Sequence, residues 1–367
     1  MPRDAEKARA ALGSSVGVDL DWSSFRTIAS LWGQYGFCAR IRDRARQQSF
    51  VLKHISPPAP STGSVSHERK LKSYLNELRF YRLYAKTITA ETGLALPEPY
   101  FLSSTESLKS SGTFEATLLL SDLSESFPLR APPHLPLDYA LAGLRWLAQF
   151  HAFFWESDSE SQGELAPIGS YWYLTTRWAE FEEIDTDEWP HFSREFAERL
   201  HNRLLGFPRG DLSLRKSYME KGRSPSYQAS AYDFQYTGYG YGAVDIAYLM
   251  TSSVSLATLQ GQGESQLLDF YHDQLTHLLG HRCRGYDRSV LQLHYELALV
   301  DYVRFMAGWG LWGNSSWARH RVDEIMGIWS CDGGVRNDRN ILHVLGGCTR
   351  AASRRFTVVA AVAGSGR

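Results

Sequence analysis

Residues 232–250 read YDFQYTGYGYGAVDIAYLM and place two aspartates, Asp233 and Asp245, among apolar and aromatic neighbours. A carboxylate in such surroundings is costly unless a cation, a metal ion or several N–H donors compensate its charge. We therefore expect each aspartate to have a defined partner, either elsewhere in the chain or in a ligand.

The charge balance argues against partners that bind by bulk electrostatics. The 367 residues include 39 basic and 40 acidic ones, and no long run carries a single sign. Nucleic acid or an anionic membrane surface would favour an excess of positive charge. The composition favours a small molecule or a protein as partner.

Cysteine usage and the sequence near the N-terminus favour a cytoplasmic protein. The four cysteines show no CxxC spacing and are too sparse for a disulfide framework. The start, MPRDAEKARAALGSS, lacks the apolar core of a signal peptide. The run FTVVAAVAG at 356–364 is too short to span a membrane and predicts a poorly ordered tail or a short buried strand.

The character of the chain changes near 121–124. Before it, strand-like segments such as SFVLKHI and EATLLLSDL flank one amphipathic helix, HERKLKSYLNELRFYRLYAK; after it, apolar residues recur at helical spacing. We predict an α+β fold with a small strand-rich lobe, a larger helical lobe and a ligand-binding cleft between them. The predicted segments are a poorly ordered N-terminus at 1–21, the strand-rich lobe with its hinge at 22–124, a helical lobe at 125–330 and an atypical tail at 331–367.

Lys53 and Glu77 form the first candidate site. Lys53 lies in the strand-like VLKHI and Glu77 in the predicted helix, an arrangement that kinases use to bind nucleotide phosphates. An exposed strand lysine and a solvated helix glutamate are the alternative. Upstream, Gly33 and Gly36 in SLWGQYGFCARI fit either a loop that covers phosphates or a plain hairpin turn.

Asp211 and Asp233 form the second candidate site, at either end of PRGDLSLRKSYMEKGRSPSYQASAYDFQ. If a turn and two strands bring them to one edge, one carboxylate could deprotonate a hydroxyl group and the other could hold Mg²⁺. The alternative places Asp211 in a turn after Gly210 and Asp233 in a salt bridge.

Aromatic residues suggest a binding surface in the helical lobe. The run MAGWGLWGNSSWARH contains Trp309, Trp312 and Trp317, which could receive a quaternary ammonium or a flat apolar molecule. The alternative, which base rates favour, is that they close the core of that lobe. His151, on the apolar face of its helix, is interpreted as a core histidine.

In combination, these segments resemble the choline kinase, aminoglycoside phosphotransferase and ecdysteroid-kinase-like (CHK kinase-like) group of small-molecule kinases, over about 22–317. The segments that carry the resemblance, in the order of the group, are VLKHI, NELRFY, LLLSDL, LAQFHAFFW, RGD, YDFQYTGYGYGAVDIAYLM and LALVDYVRFMAGWG. The resemblance implies a protein-kinase-like two-lobed fold. It also implies ATP- and Mg²⁺-dependent phosphorylation of a hydroxyl group on a small molecule, such as a choline-like, sugar or sterol alcohol.

The same resemblance implies roles for individual residues. Lys53 would contact ATP phosphates with Glu77 orienting it, and Asp122 would end the hinge that binds adenine. Asp233 would bind Mg²⁺, Asp211 would be the base, and Asp245 would fix the backbone near Asp211.

The loop around Asp211 departs from the HGDxxxxN pattern of these kinases. Arg209 replaces the histidine, and Lys216 stands where the pattern has asparagine. An ammonium group has only donors and a positive charge, so it cannot replace an amide oxygen on Mg²⁺. The sequence therefore leaves open a slow kinase and a catalytically impaired pseudokinase that binds a nucleotide or metabolite as a scaffold or sensor.

Overall fold

The computed structural model divides the chain into two compact units with a boundary between Leu129 and Arg130. We call them the N-terminal unit and the C-terminal unit. The sequence predicted this change a few residues earlier, at 121–124. The described residues are 3–13, 17–45, 48–58, 65–104, 114–155, 165–190, 192, 218–221, 227–331 and 357–359.

The N-terminal unit contains a five-stranded sheet with the order β1-β2-β3-β5-β4. All neighbouring strands are antiparallel. Alternating burial, as at Phe37, Ala39 and Ile41 of β2, explains the strand conformation, because successive side chains point to opposite faces. The strands are β1 Leu20–Ser30, β2 Gly36–Asp43, β3 Ser49–Ile55, β4 Pro99–Ser104 and β5 Ala116–Ser121.

Strand β3 lies at the centre of the sheet and presents different chemistry on its two faces. Phe50 and Leu52 belong to the apolar core, and by alternation Lys53 points to the other face. Lys53 pairs across the sheet with Cys38 and Leu118. A lysine at this position is far from a sheet edge, so its charge requires a partner on its own face.

Helix α1, Arg3–Leu12, packs on the apolar face of the sheet. Ala5, Ala8 and Leu12 are buried there at the spacing of one helical face. The sequence predicted poor order for 1–21, and the helix differs from that expectation. Alanines give a weak hydrophobic signal, yet their small size allows the helix to approach the sheet closely.

The helix that carries Glu77 changes geometry along its length. Helix α2, Val65–Phe80, continues through a π-helical turn, Tyr81–Ala85, into α3, Lys86–Thr92. It ends at Gly93, whose φ of 69° provides the left-handed conformation of a helix C-terminus. The sequence predicted the helix but not the π turn.

The C-terminal unit is mainly helical. Helix α4 packs against α8, and α6 packs against α9. Asp287 caps α9 by accepting from the backbone N–H groups of Ser289 and Val290. The helices are α4 Leu137–Phe153, α5 Trp178–Glu182, α6 Gly242–Ser252, α7 Leu256–Leu259, α8 Gly263–Leu279, α9 Arg288–Trp309 and α10 Ser315–Cys331.

Short strands accompany these helices. Strand β6 comprises Leu129–Arg130. Strand β7, Tyr218–Lys221, pairs antiparallel with β8, Tyr227–Ala229. Strand β9, Tyr236–Gly238, pairs antiparallel with β10, Thr357–Val359, which lies within the apolar run 356–364. Of the two alternatives for that run, the short strand is observed.

The expected α+β class, a small strand-rich unit followed by a larger helical one, is confirmed. Within the described ranges, no helix is both long and apolar enough to cross a membrane.

Candidate functional site

Lys53 and Glu77 form a buried ion pair. The Lys53 Nζ lies 2.7 Å from the Glu77 Oε2, and the two side chains are 7% and 2% exposed. This burial excludes the alternative of a solvated lysine and a solvated glutamate. A pair removed from water to this extent holds its geometry tightly, because either charge alone would be strongly unfavourable there.

The glycines of the β1–β2 hairpin are explained by backbone geometry. Gly33 and Gln34 have φ values of 64° and 63°, and Gly36 has a φ of 140°. A Cβ added at Gly36 would lie 2.0 Å from the carbonyl oxygen of His54, so only glycine fits. The structure therefore shows the predicted hairpin turn, and the phosphate-covering role of Gly33 and Gly36 stays a prediction.

Side chains connect this hairpin to the helix that carries Glu77. The Tyr35 hydroxyl hydrogen-bonds the Nδ1 of His67. The Lys70 Nζ lies 4.7 Å from the centroid of the Tyr35 ring, and the ring of Tyr74 lies 6.3 Å from that of Tyr35. The hairpin and α2 are thus held together on the side where α2 carries Glu77.

Asp122 follows β5, and its carboxylate stabilises the N-terminal unit. It accepts hydrogen bonds from the Arg40 guanidinium, from the Ser49 hydroxyl at 2.8 Å and from the Ser124 backbone N–H at 2.9 Å. Burial acts to raise the pKa of Asp122, but these hydrogen bonds outweigh it and hold the pKa below its usual range. Its predicted place at the end of an adenine-binding hinge stays a prediction.

Asp233 has an unusual backbone conformation. Its φ is 72°, a left-handed value that is uncommon outside glycine and often marks a functional position. The half-buried carboxylate accepts a hydrogen bond of 2.7 Å from the Gln235 side chain. The next residue, Phe234, is fully buried and stacks near Phe150, which anchors the segment.

Asp245 pairs with His151. The His151 Nε2 lies 2.8 Å from the Asp245 Oδ2, and the Nδ1 lies 2.7 Å from the Tyr271 hydroxyl. Burial lowers the pKa of His151 to about 3, so the ring is neutral, donates from Nε2 and accepts at Nδ1. A Cβ at Gly242 would lie 2.6 Å from that Nδ1, so α6 begins with glycine.

This arrangement shows His151 as a hydrogen-bonded core histidine, as interpreted from the sequence. It also provides a partner for Asp245. The predicted role of Asp245, to fix the backbone near Asp211, stays a prediction, since Asp211 lies outside the described residues.

Arg209 and Lys216 also lie outside the described residues. Among the residues that are described, no three or more His, Cys, Asp and Glu side chains gather where they could hold a metal ion. Of the candidate site residues, the structure therefore brings together Lys53 and Glu77, and it positions Asp233 on a separate segment.

An aromatic cluster in the C-terminal unit extends the predicted tryptophan surface. Trp312 contacts Phe305 and Tyr302 edge-on, at 5.8 Å in both cases, and Trp309 stacks on Phe305 at 5.7 Å. Trp309 is 53% exposed, so it does not close the core. We define the aromatic cluster as Tyr171, Trp172, Tyr236, Tyr248, Tyr302, Phe305, Trp309 and Trp312.

The segment 165–178 was missed by the sequence prediction, although its run YWYLTTRW at 171–178 is a visible aromatic signal. The Ser170 backbone N–H donates to the carbonyl oxygen of Tyr236 at 3.2 Å, and the Tyr171 and Tyr236 rings lie 5.5 Å apart. Tyr236 follows Asp233 by three residues. The aromatic cluster therefore begins next to the Asp233 segment.

Comparisons with known proteins give structural neighbours only. No family model and no curated protein matches the chain. It is similar to the structure of an ethanolamine kinase from Plasmodium vivax, with 13% identity, a TM-score of 0.38 and coverage of 91% of this chain and 81% of that one. It is also similar to a choline kinase from Cryptosporidium parvum, with 9% identity, a TM-score of 0.41 and coverage of 89% and 92%.

Proposed function

We propose that this chain is an ATP- and Mg²⁺-dependent phosphotransferase that phosphorylates a hydroxyl group of a small molecule. The buried pair of Lys53 on the central strand and Glu77 on α2 is the observation that carries the proposal. In kinases, a strand lysine held by a helix glutamate contacts the phosphates of the nucleotide. The protein-kinase-like arrangement of the fold is part of the same proposal.

Asp233 fits the role of magnesium ligand. Mg²⁺ in kinases is held by one or two carboxylates together with the substrate phosphates, so a dedicated cage of protein ligands is not required. The half-buried Asp233 carboxylate, fixed by its left-handed backbone and by the anchored Phe234, supplies one such ligand. Bound Mg²⁺ would neutralise charge on the transferring phosphoryl group.

The remaining role in the proposed reaction, that of the general base, is assigned to Asp211 from the sequence alone. The acceptor oxygen attacks the terminal phosphorus of ATP while the bond from that phosphorus to the ADP oxygen breaks. Asp211 accepts the proton of the hydroxyl group, as a general base. The aromatic cluster next to the Asp233 segment is the proposed acceptor surface, for a choline-like, sugar or sterol alcohol.

A calorimetric titration with ATP, with and without Mg²⁺, tests this function without knowledge of the acceptor. We expect Mg²⁺-dependent binding that is lost in Asp233→Asn, a variant of nearly the same shape whose residue type also tolerates positive φ. Absence of binding at millimolar nucleotide to the folded wild-type protein would rule out the kinase function.

The second candidate function is that of a catalytically impaired scaffold or sensor, and Lys216 favours it. Losing one preorganised electrostatic contact in a catalytic site costs about two to three orders of magnitude in rate. If Lys216 limits an otherwise intact site, Lys216→Asn increases ATP turnover strongly while nucleotide affinity changes little. If turnover does not rise, the scaffold function is favoured.

A further inference from the structure

A cation of the chain itself already occupies the aromatic cluster. The guanidinium carbon of Arg177 lies 4.6 Å from the ring centroid of Trp309, 5.6 Å from that of Phe305 and 5.7 Å from that of Tyr171. All three distances are within the range of cation–π attraction. The faces that would attract a cationic ligand are therefore directed at Arg177.

Hydrogen bonds hold Arg177 in this position. Its Nε donates to the Tyr171 carbonyl oxygen at 2.6 Å, and a terminal nitrogen donates to the Glu180 carboxylate at 2.8 Å. The Arg177 side chain is 9% exposed and that of Glu180 is 17% exposed. A planar guanidinium fixed by two polar partners and three rings has little freedom to leave.

We propose that Arg177 determines the specificity of the acceptor site by taking the position that a quaternary ammonium would need. This inference rests on the proposed function and narrows its acceptor class to uncharged alcohols. A second cation within 4–6 Å of Arg177 would be repelled, and the rings it would stack on are already engaged. The exposed half of Trp309 remains available for an apolar or sugar-like surface.

Two probes of matched shape test the charge preference directly. Choline and 3,3-dimethylbutan-1-ol differ in replacing the quaternary nitrogen by carbon, so their comparison isolates the positive charge. We expect the wild-type protein to bind the uncharged alcohol more tightly than choline in ligand-observed NMR titrations. Tighter binding of choline to the wild-type protein would overturn the proposal.

Substitution of Arg177 should reverse this preference. In Arg177→Met the aliphatic volume is largely kept, the rings are uncovered and Glu180 loses its cation, so we expect the ratio of choline to alcohol affinity to rise roughly 10-fold or more. Arg177→Gln, which keeps an N–H donor for the Tyr171 carbonyl, serves if the methionine variant does not fold. An unchanged ratio in a folded variant would contradict the inference.

A matched control and a double variant separate the contributions. Arg319 stacks 4.2 Å from the Trp189 centroid and pairs with Glu188 at 2.7 Å, so Arg319→Met removes the same chemistry outside the aromatic cluster and should leave the ratio unchanged. Adding Glu180→Gln to Arg177→Met should retain only the aromatic part of the gain.

The outcomes also distinguish this inference from the proposed function. ATP titrations of the same proteins test nucleotide binding, whereas the probe titrations contain no nucleotide. If the proposed kinase function is wrong, the ATP titrations show no binding, while the probe titrations are unaffected. If neither probe binds the wild-type protein or any folded Arg177 variant, the aromatic cluster is not an acceptor surface and the specificity role of Arg177 fails.

Discussion

Two buried ion pairs of this protein are alike in burial but differ in what they connect. Lys53 and Glu77, at 2.7 Å, join the central strand to α2 in the N-terminal unit. Asp301 and Arg304, at 3.1 Å, lie one turn apart on α9 in the C-terminal unit. Arg304 also donates to the carbonyl oxygen of the fully buried Trp172, at 3.1 Å.

This difference shows that burial of charge does not by itself mark a functional site. The Arg304 guanidinium is a planar fork that holds the Trp172 segment against α9, a structural task suited to fixed geometry. The Lys53 ammonium is a compact charge whose partner comes from another element, and its proposed contact with nucleotide phosphates is argued from this arrangement. Its expected function depends on this connection between elements.

The largest expected effect belongs to the structural pair. Arg304→Ala leaves the Asp301 carboxylate and the Trp172 carbonyl without their cation in a buried site, so we expect a loss of about 3–5 kcal/mol in the free energy of unfolding. Urea denaturation followed by circular dichroism measures it. A loss below about 1 kcal/mol would contradict the comparison, because Arg304 would then contribute little to the stability of the fold.

Lowering the pH tests another buried carboxylate, that of Asp245, which is paired with a neutral His151. The pKa of His151 falls from 6.5 to about 3 on folding, so between these values the unfolded chain binds a proton that the folded chain does not. Stability therefore decreases as the pH falls through this window, by about 1.4 kcal/mol for each pH unit and about 2 kcal/mol by pH 5.

His151→Gln removes the titrating ring but keeps a donor and an acceptor. We expect a flatter stability profile below pH 6.5 in denaturation experiments at several pH values. A profile as steep as that of the wild-type protein would show that other groups cause the acid sensitivity.

The functional pair should tolerate replacement by apolar residues in stability but not in binding. The double variant Lys53→Met with Glu77→Leu removes both charges. Replacing a buried ion pair by apolar residues is often neutral or stabilising, so we expect a free energy of unfolding within about 1 kcal/mol of the wild-type value. ATP affinity should fall roughly 10-fold or more if Lys53 binds the phosphates as proposed, because its charge is gone.

The matched control is Asp301→Leu with Arg304→Met, measured by the same calorimetry and denaturation. It should leave ATP affinity unchanged and reduce stability by about 1–3 kcal/mol, since the buried Trp172 carbonyl loses its donor. If both double variants lose ATP affinity equally, the distinction between a structural and a functional pair fails.

Substitutions of Asp233 that suit its left-handed backbone should have the smallest effects on stability, because the special feature of this residue is its φ of 72°. Asp233→Gly and Asp233→Asn suit the positive φ, so we expect thermal stability within about 1 kcal/mol of the wild-type value, whereas Asp233→Val should lose at least about 1–2 kcal/mol. The glycine and asparagine variants should nevertheless lose the Mg²⁺-dependent part of ATP binding. If ATP binding by these variants still depends on Mg²⁺, Asp233 is not the proposed magnesium ligand.

Features with a regular sequence signal could be predicted. The strand around Lys53, the helix around Glu77 and the core position of His151 follow from periodicity and from apolar surroundings. Each of these depends on neighbours along the chain or on one helical face.

Features that arise from tertiary contacts could not be predicted in this way. Arg177 is significant because its own segment, Phe305 and Trp309 converge on it, and no local pattern encodes that convergence. The same holds for the choice of His151 as the partner of Asp245, two residues that are 94 positions apart. Helix α1 was missed because its alanines give too little hydrophobic contrast.

The π-helical turn at Tyr81–Ala85 also determines the rotational phase of Glu77. An α-helix advances by about 100° for each residue, and a single π turn accommodates roughly one extra residue without breaking the helix. Because the wider turn absorbs that extra residue, α2 keeps the phase relative to α3 that a regular helix one residue shorter would give. If the same five residues were wound as α-helix while α3 kept its packing, α2 would rotate by about 100° and Glu77 would face away from Lys53. The ion pair therefore depends on the π geometry of this turn.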